Sequence, residues 1–189
     1  MTATRATPLS ISDPLSTSLA RVLLAEGPDR ELAPPLALYG WLVGRWDMDV
    51  TTFLEDDTKH SGHGEIHAGW VLQGRAIQDV WMIPRLVERR PGTPQLPGAG
   101  NWYGTTLRIY DPSIDGWHVL WNDPVTGFLT RQIGRARDRD IVQEGPDPRG
   151  GLMRWTFDEI EPKSFHWTGE RASDGATWRR EVDIRARRA

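Results

Sequence analysis

Hydrophobic and polar residues alternate with a period of two along most of the chain after Gly44. This period is typical of β-strands that bury one face. Between residues 45 and 54, for example, Trp46, Met48 and Val50 alternate with acidic or hydroxyl-bearing residues. Turns rich in Gly, Pro, Asn and Asp separate the alternating segments. The predicted strands span 45–54, 63–70, the run from Gln73 to Pro84, 102–110, 117–122, 128–135, 141–144, 152–160, 164–172 and 177–186.

Strands at this spacing predict an all-β fold, an antiparallel up-and-down barrel or a sandwich, with about eight to ten strands. Helices are predicted only before Gly44. Asp13 is placed to cap an amphipathic helix that ends at Gly27 and Pro28, and residues 34–43 are predicted to form a short helical plug before the first strand. We therefore divide the chain into a tail with an amphipathic helix, 1–35, and a barrel domain, 36–189.

The run from Gln73 to Pro84 is unusual because neither of its faces has the pattern of a solvated face. Arg75, Ile77, Asp79, Trp81 and Ile83 share one face, and the opposite face is mostly apolar. Charges among large apolar groups on an inward face are typical of a small ligand-holding barrel. Residues 84–100, with four prolines and three glycines, predict a long irregular loop or lid.

Composition limits the compartment and the partners. A chain of 189 residues has room for one good core, and its net charge of -3 provides no field that would attract nucleic acid or an anionic membrane. Without cysteine it has neither disulfides nor thiolate metal sites. No apolar segment resembles a membrane span or a signal peptide. We expect a cytoplasmic protein with neither nucleic-acid nor membrane partners.

Tryptophan is abundant, with 10 residues against 3 tyrosines and 4 phenylalanines. Most tryptophans fall in predicted strands, where such wide side chains either fill a barrel or line a pocket in it. We expect Trp81, Trp121 and Trp167 to face one internal cavity.

Five segments carry a resemblance to a known family. They are Gly44-Arg45-Trp46, the run from Gly74 to Trp81, the run from Tyr103 to Pro112, and the segments 165–170 and 174–178 near the end. Together they resemble a bacterial lipocalin-like (calycin) β-barrel family of unknown function, distantly similar to nitrobindin and the fatty-acid-binding proteins. The resemblance implies a closed antiparallel barrel with an internal cavity. It also implies that Trp46 seals one barrel end under an arginine of the last strand, for which Arg180 and Arg185 are the candidates.

We expect neither haem nor a metal ion as cofactor. Nitrobindin carries two glycines where this chain has Met48 and Val50, and its haem-ligating histidine lies near the C-terminus, whereas no histidine follows His166 here. His63, Glu65 and His67 share one strand face, but strand-borne zinc sites favour the His-x-His spacing, which is absent.

Asp79 needs a partner if it is buried, and the next strand offers Arg108 and Tyr110 on a single face. Such a network either closes the barrel and fixes the register of its strands or serves a ligand, and the sequence favours the two roles equally.

The leading functional hypothesis is a small-molecule binding protein that holds an apolar or aromatic ligand with a polar or anionic group. Its candidate ligand-binding residues are Arg75, Asp79, Trp81, Arg108, Tyr110, Trp121 and Trp167. The first alternative is a barrel enzyme of the isomerase, cyclase or hydratase type that uses Asp79 with Arg108 or Tyr110. The second is a scaffold that forms a homodimer and holds no ligand. Hydrolase and kinase motifs are absent from the sequence.

Overall fold

The computed structural model describes residues 18–89 and 101–189, and in this part of the chain the fold is a closed antiparallel barrel of ten strands. An additional two-residue strand, β1 (Leu24–Ala25), pairs with the last two residues of β3. The barrel strands are β2 (Gly44–Phe53), β3 (Lys59–Val71), β4 (Ala76–Ile83), β5 (Trp102–Asp111), β6 (Gly116–Asp123), β7 (Phe128–Arg137), β8 (Asp140–Pro146), β9 (Leu152–Glu161), β10 (Ser164–Ala172) and β11 (Arg179–Arg188).

Each barrel strand pairs with its neighbour in sequence, so that β3, for example, pairs with both β2 and β4. One further pairing, of β11 with β2, closes the sheet on itself. The alternation predicted from the sequence is the alternation observed, because inward positions such as Trp46, Met48 and Val50 are buried while their neighbours are more exposed. The predicted all-β barrel is confirmed.

Two helices precede the barrel. Helix α1 (Ser18–Leu23) buries none of its residues, and the chain already becomes the strand β1 at Leu24. The predicted amphipathic helix therefore ends before Gly27, and its start at Asp13 lies outside the described residues. No helix in the described part of the chain has the length and apolar character needed to span a bilayer.

Helix α2 (Ala33–Gly40) is the predicted plug, and it closes one end of the barrel. Leu36 and Tyr39 are fully buried, as is Leu42 just beyond the helix. Tyr39 packs edge-on against Trp117 with ring centroids 5.0 Å apart. Because aromatic and aliphatic side chains fill this end, the remaining interior space lies towards the opposite end.

Candidate functional site

A cavity of about 500 Å³ occupies the barrel end opposite α2. Its inner part lies beside Thr106 and Arg108 of β5, and its outer part lies beside the β6–β7 turn and Arg149 of the β8–β9 turn. Tryptophans from five different strands form most of its wall: Trp81, Trp102, Trp121, Trp155 and Trp167. A pocket of this size with a mainly aromatic wall matches the usual dimensions of a small-molecule site.

Four of these indoles contact one another in a closed circuit. Trp102 lies 6.5 Å from Trp121, and Trp121 lies 6.3 Å from Trp155, measured between ring centroids. Trp155 lies 5.7 Å from Trp167, which returns to Trp102 at 6.5 Å. Successive ring planes are inclined by 68°, 87°, 54° and 76°. We call these residues the tryptophan circuit, and Trp81 extends it inwards through a 5.5 Å contact with Trp167.

The circuit depends on a glycine in the neighbouring strand. A Cβ atom at Gly104 would lie 2.5 Å from Cζ2 of Trp121, so any larger residue would push the indole aside. The absence of a side chain at Gly104 thus lets the Trp121 ring pack close against β5.

Asp79 and Arg108 form a buried ion pair at the inner end of the cavity, as the sequence indicated. The side chains of both are almost fully buried. Arg108 donates from Nη1 to Oδ2 of Asp79, and the backbone N–H of Thr106 donates to Oδ1 at 3.1 Å. Both carboxylate oxygens are engaged, so Asp79 offers no free base for proton transfer, and the enzyme alternative gains no support from its geometry.

The layer beneath this ion pair is polar and closed by Tyr39. The Arg108 guanidinium lies 5.2 Å from the centre of the Tyr39 ring, and Tyr39 donates to Oε1 of Gln143 at 3.3 Å. Burial raises the pKa of Tyr39 well above its ordinary value, and the opposing charge of Arg108 does not cancel this effect. Tyr39 therefore stays protonated and acts as a donor.

Several buried polar atoms near this layer lack a hydrogen-bond partner among the described residues. They are Nε of Arg108, Nε1 of Trp81, the amide N and O of Gln132, and Nε2 of Gln143. All belong to side chains on inward positions of β4, β5, β7 and β8. Buried polar atoms without a partner are rare in folded proteins, and a water molecule or a bound ligand would satisfy them.

The solvent-facing end of the cavity carries a network of ion pairs. Arg149 donates to both carboxylate oxygens of Glu181, at 3.2 and 2.8 Å, and to Oδ2 of Asp147 at 2.7 Å. Arg171 lies 3.1 Å from the same Asp147 oxygen. Burial raises the pKa of Asp147, but the hydrogen bonds and charge of Arg149 outweigh it, so that its pKa falls below the ordinary value. On the adjacent strands β9 and β10, Arg154 donates to Glu170 at 3.0 Å.

Not all the residues expected in the cavity reach it. Trp81, Arg108, Trp121 and Trp167 line the cavity, and Asp79 is joined to it through Arg108. Arg75 does not reach the cavity. The strand β4 begins one residue later, so Arg75 lies in the preceding turn, where its exposed side chain pairs with Asp29 at 3.0 Å.

Tyr110 also lies away from the cavity, near the α2 end of β5. It donates to Asp115 at 2.9 Å in the β5–β6 turn and packs on Trp117 instead of approaching Asp79. The cause is distance along β5. Two residues advance a strand by about 7 Å, and Tyr110 lies two residues beyond Arg108, which is the residue that reaches Asp79.

The seal over Trp46 comes from the last strand, as the resemblance implies, but from a different arginine. The guanidinium of Arg188 lies 4.0 Å from the Trp46 ring centre and also donates to the carbonyls of Trp41 and Val43. Arg180 pairs with Asp183, and Arg185 pairs with Glu159 on the barrel exterior. The assignment of Arg180 or Arg185 is therefore wrong, because strand pairing brings Arg188 opposite Trp46.

The histidines considered for metal binding have separate partners. His63 pairs with Asp49 at 2.9 Å, and His67 pairs with Glu65 at 3.2 Å. On the outer wall, His166 lies between Asp158 at 2.7 Å and Asp183 at 3.1 Å. Asp158, Glu159 and His166 are close enough to share an ion, but Glu159 already binds Arg185.

The sequence reasoning missed several cavity residues, among them Trp102, Trp155 and Asp123. The two tryptophans occupy the same alternating positions as Trp121 and Trp167, so the inward parity of their strands would have identified them. Asp123 ends β6 directly before Pro124, where its sequence context suggests only a turn.

The architecture defines the class of protein: this chain forms a calycin-like barrel with a tryptophan-lined cavity. Two solved structures share the fold. Rv2717c from M. tuberculosis has a TM-score of 0.56 at 12% identity, over 82% of this chain and 98% of that one. The S-type phycobiliprotein lyase CPES from Guillardia theta has a TM-score of 0.53 at 9% identity, over 86% of this chain and 98% of that one. No family model and no curated protein sequence matches the chain.

Proposed function

We propose that the protein binds a small molecule with an apolar or aromatic body in the cavity enclosed by the tryptophan circuit. The observation that carries this proposal is the cavity itself, about 500 Å³ in volume and lined by five tryptophans. A cavity lowers the stability of a fold, so a barrel with a purely structural role would be more stable if core side chains filled this space.

A polar group on the ligand is supported by the mixed character of the wall. The inner end holds polar atoms without partners, and the outer end holds Arg149, Glu170 and Glu181. Arg75 and Arg108 were the cationic candidates among the ligand-binding residues, but Arg75 lies outside the cavity and the charge of Arg108 is already balanced by Asp79. We therefore assign Arg108 and Asp79 to the support of the cavity and the tryptophans to the ligand contact.

The similarity to the phycobiliprotein lyase is one of fold alone. It is compatible with ligand binding in a barrel of this shape, and it names no ligand for this chain.

Native mass spectrometry of freshly purified protein tests the proposal directly. We expect an adduct of a few hundred daltons that is lost on denaturation. In parallel, a screen of aromatic acids, fatty acids and terpenoid alcohols should include compounds that quench or shift tryptophan emission, because the indoles line the site.

Matched variants separate a cavity ligand from surface binding. Trp121→Leu and Trp167→Leu should weaken binding about tenfold or more, since stacked aromatic contacts are lost. Trp178→Leu is the control, because Trp178 lies outside the cavity and stacks on Arg154. The absence of any adduct, an unresponsive screen and equal effects of the three variants would together refute the proposal.

A further inference from the structure

The positive charges that line the cavity are already neutralised. Arg108 pairs with Asp79. Arg149 pairs with both Asp147 and Glu181, and Arg171 also pairs with Asp147. The lining carboxylate of Glu170 is in turn neutralised by Arg154. An anionic ligand would thus have to break an existing ion pair to find a cation.

Asp123 is the exception to this balance. It lines the cavity and is only 3% exposed. Its Oδ1 accepts the backbone N–H groups of Val125 at 2.8 Å and Thr126 at 3.4 Å. No cationic side chain in residues 18–89 and 101–189 lies within ion-pair distance of it. A buried carboxylate without a cation is costly, and two backbone donors offset only part of that cost.

The tryptophan circuit lies beside this carboxylate. Asp123 follows Trp121 by two residues on the same face of β6, a separation of about 7 Å. Trp faces attract cations within about 6 Å of the ring centre more strongly than other aromatic faces do. Successive planes inclined by 54° to 87° present several such faces around one space.

We propose that the ligand of this cavity is an organic cation, an amine or a quaternary ammonium group on an apolar body. Its positive end lies between the tryptophan circuit and the Asp123 carboxylate. The inference rests on the proposed function and adds the sign of the ligand's charge. The alternative role of Asp123 is to stabilise the β6–β7 turn alone, through the same two backbone hydrogen bonds.

Three probes of similar shape and different charge provide the test: benzyltrimethylammonium, the neutral dimethyl benzyl carbinol, and benzylsulfonate. Isothermal titration and tryptophan quenching with the full chain at low salt should rank the cation first, by about tenfold or more over both others.

Asp123→Asn then separates the charge from the turn, because an asparagine Oδ1 still accepts the two backbone N–H groups. This variant should lose about tenfold in affinity for the cation and leave dimethyl benzyl carbinol unaffected. Asp174→Asn is the matched control, since Asp174 makes the same pair of turn hydrogen bonds, to Ala176 and Thr177, at an exposed site. Equal thermal melting of the two variants checks that the fold is retained.

The outcomes distinguish the two proposals. Tighter binding of the neutral or anionic probe, or unchanged cation affinity in Asp123→Asn, overturns the cation assignment and leaves a ligand site in place. No response to any of the three probes also overturns the cation assignment, and the proposed function is then decided by the native mass spectrum.

Discussion

Among single residues, Arg108 carries a large expected cost of substitution. Its charge is buried with that of Asp79, and removing one member leaves the other without compensation. We expect Arg108→Leu to lower the free energy of unfolding by about 3 to 5 kcal/mol, measured by urea denaturation.

A double substitution provides the check on this prediction. Asp79→Leu with Arg108→Leu should cost less than the sum of the two single changes, because no lone charge remains. Arg185→Leu, which removes an exposed partner of Glu159, should cost no more than about 1 kcal/mol. A loss this small for Arg108→Leu as well would show that the buried Asp79 carboxylate does not need Arg108 as its partner.

Among the elements, α2 and the residues after it act as part of the barrel core. Leu42 is fully buried between the plug and the barrel, whereas Leu24 of β1 is 47% exposed. We expect Leu42→Ala to destabilise the protein by about 2 to 5 kcal/mol in urea titrations. Leu24→Ala, with the same change in chemistry, should stay within about 0.5 kcal/mol of the parent. Similar values for the two would mean that α2 is not needed to fill the barrel end.

The β8–β9 turn is joined to β10 by the contact of Asp147 with Arg171, and to β11 by the contact of Arg149 with Glu181. Because the folded pKa of Asp147 lies below its unfolded value, the unfolded chain takes up the proton more readily. This contribution to stability is complete above the ordinary value of 3.8 and is lost as pH falls further through the folded pKa.

Urea unfolding at pH 6 and pH 3 measures the effect. Asp147→Asn should flatten the acid-side loss of stability relative to the parent, whereas Asp138→Asn, at an exposed turn without an ion pair in the described structure, should not change it. An identical acid profile in parent and Asp147→Asn would contradict the assignment.

At the scale of the whole molecule, closure of the sheet determines which backbone amides are protected from hydrogen exchange with solvent. β4 pairs with β3 as well as with β5, so that no barrel strand in the described structure is an edge. We expect backbone amides of β4 to exchange as slowly as those of β9, and those of β1, a two-residue addition, to exchange rapidly. Fast exchange confined to β4 would indicate a sheet that opens between β3 and β4.

The sequence by itself determined the strands and their inward faces. Alternation at a period of two is a local property, so Trp46, Trp81, Trp121 and Trp167 could be assigned to the interior without knowledge of the fold. It also predicted that Asp79 pairs with Arg108 or Tyr110, because a buried carboxylate requires a partner and the next strand carries both on one face; the structure selects Arg108.

Only the tertiary structure decided where each strand begins and which residues lie opposite one another. Because β4 begins at Ala76, one residue after Arg75, the Arg75 side chain lies outside the interior. The register of β11 against β2 places Arg188, and not Arg185, opposite Trp46. The tryptophan circuit joins β5, β6, β9 and β10 across the barrel. Such contacts arise from closure of the sheet, which brings together side chains far apart in sequence and has no local signature.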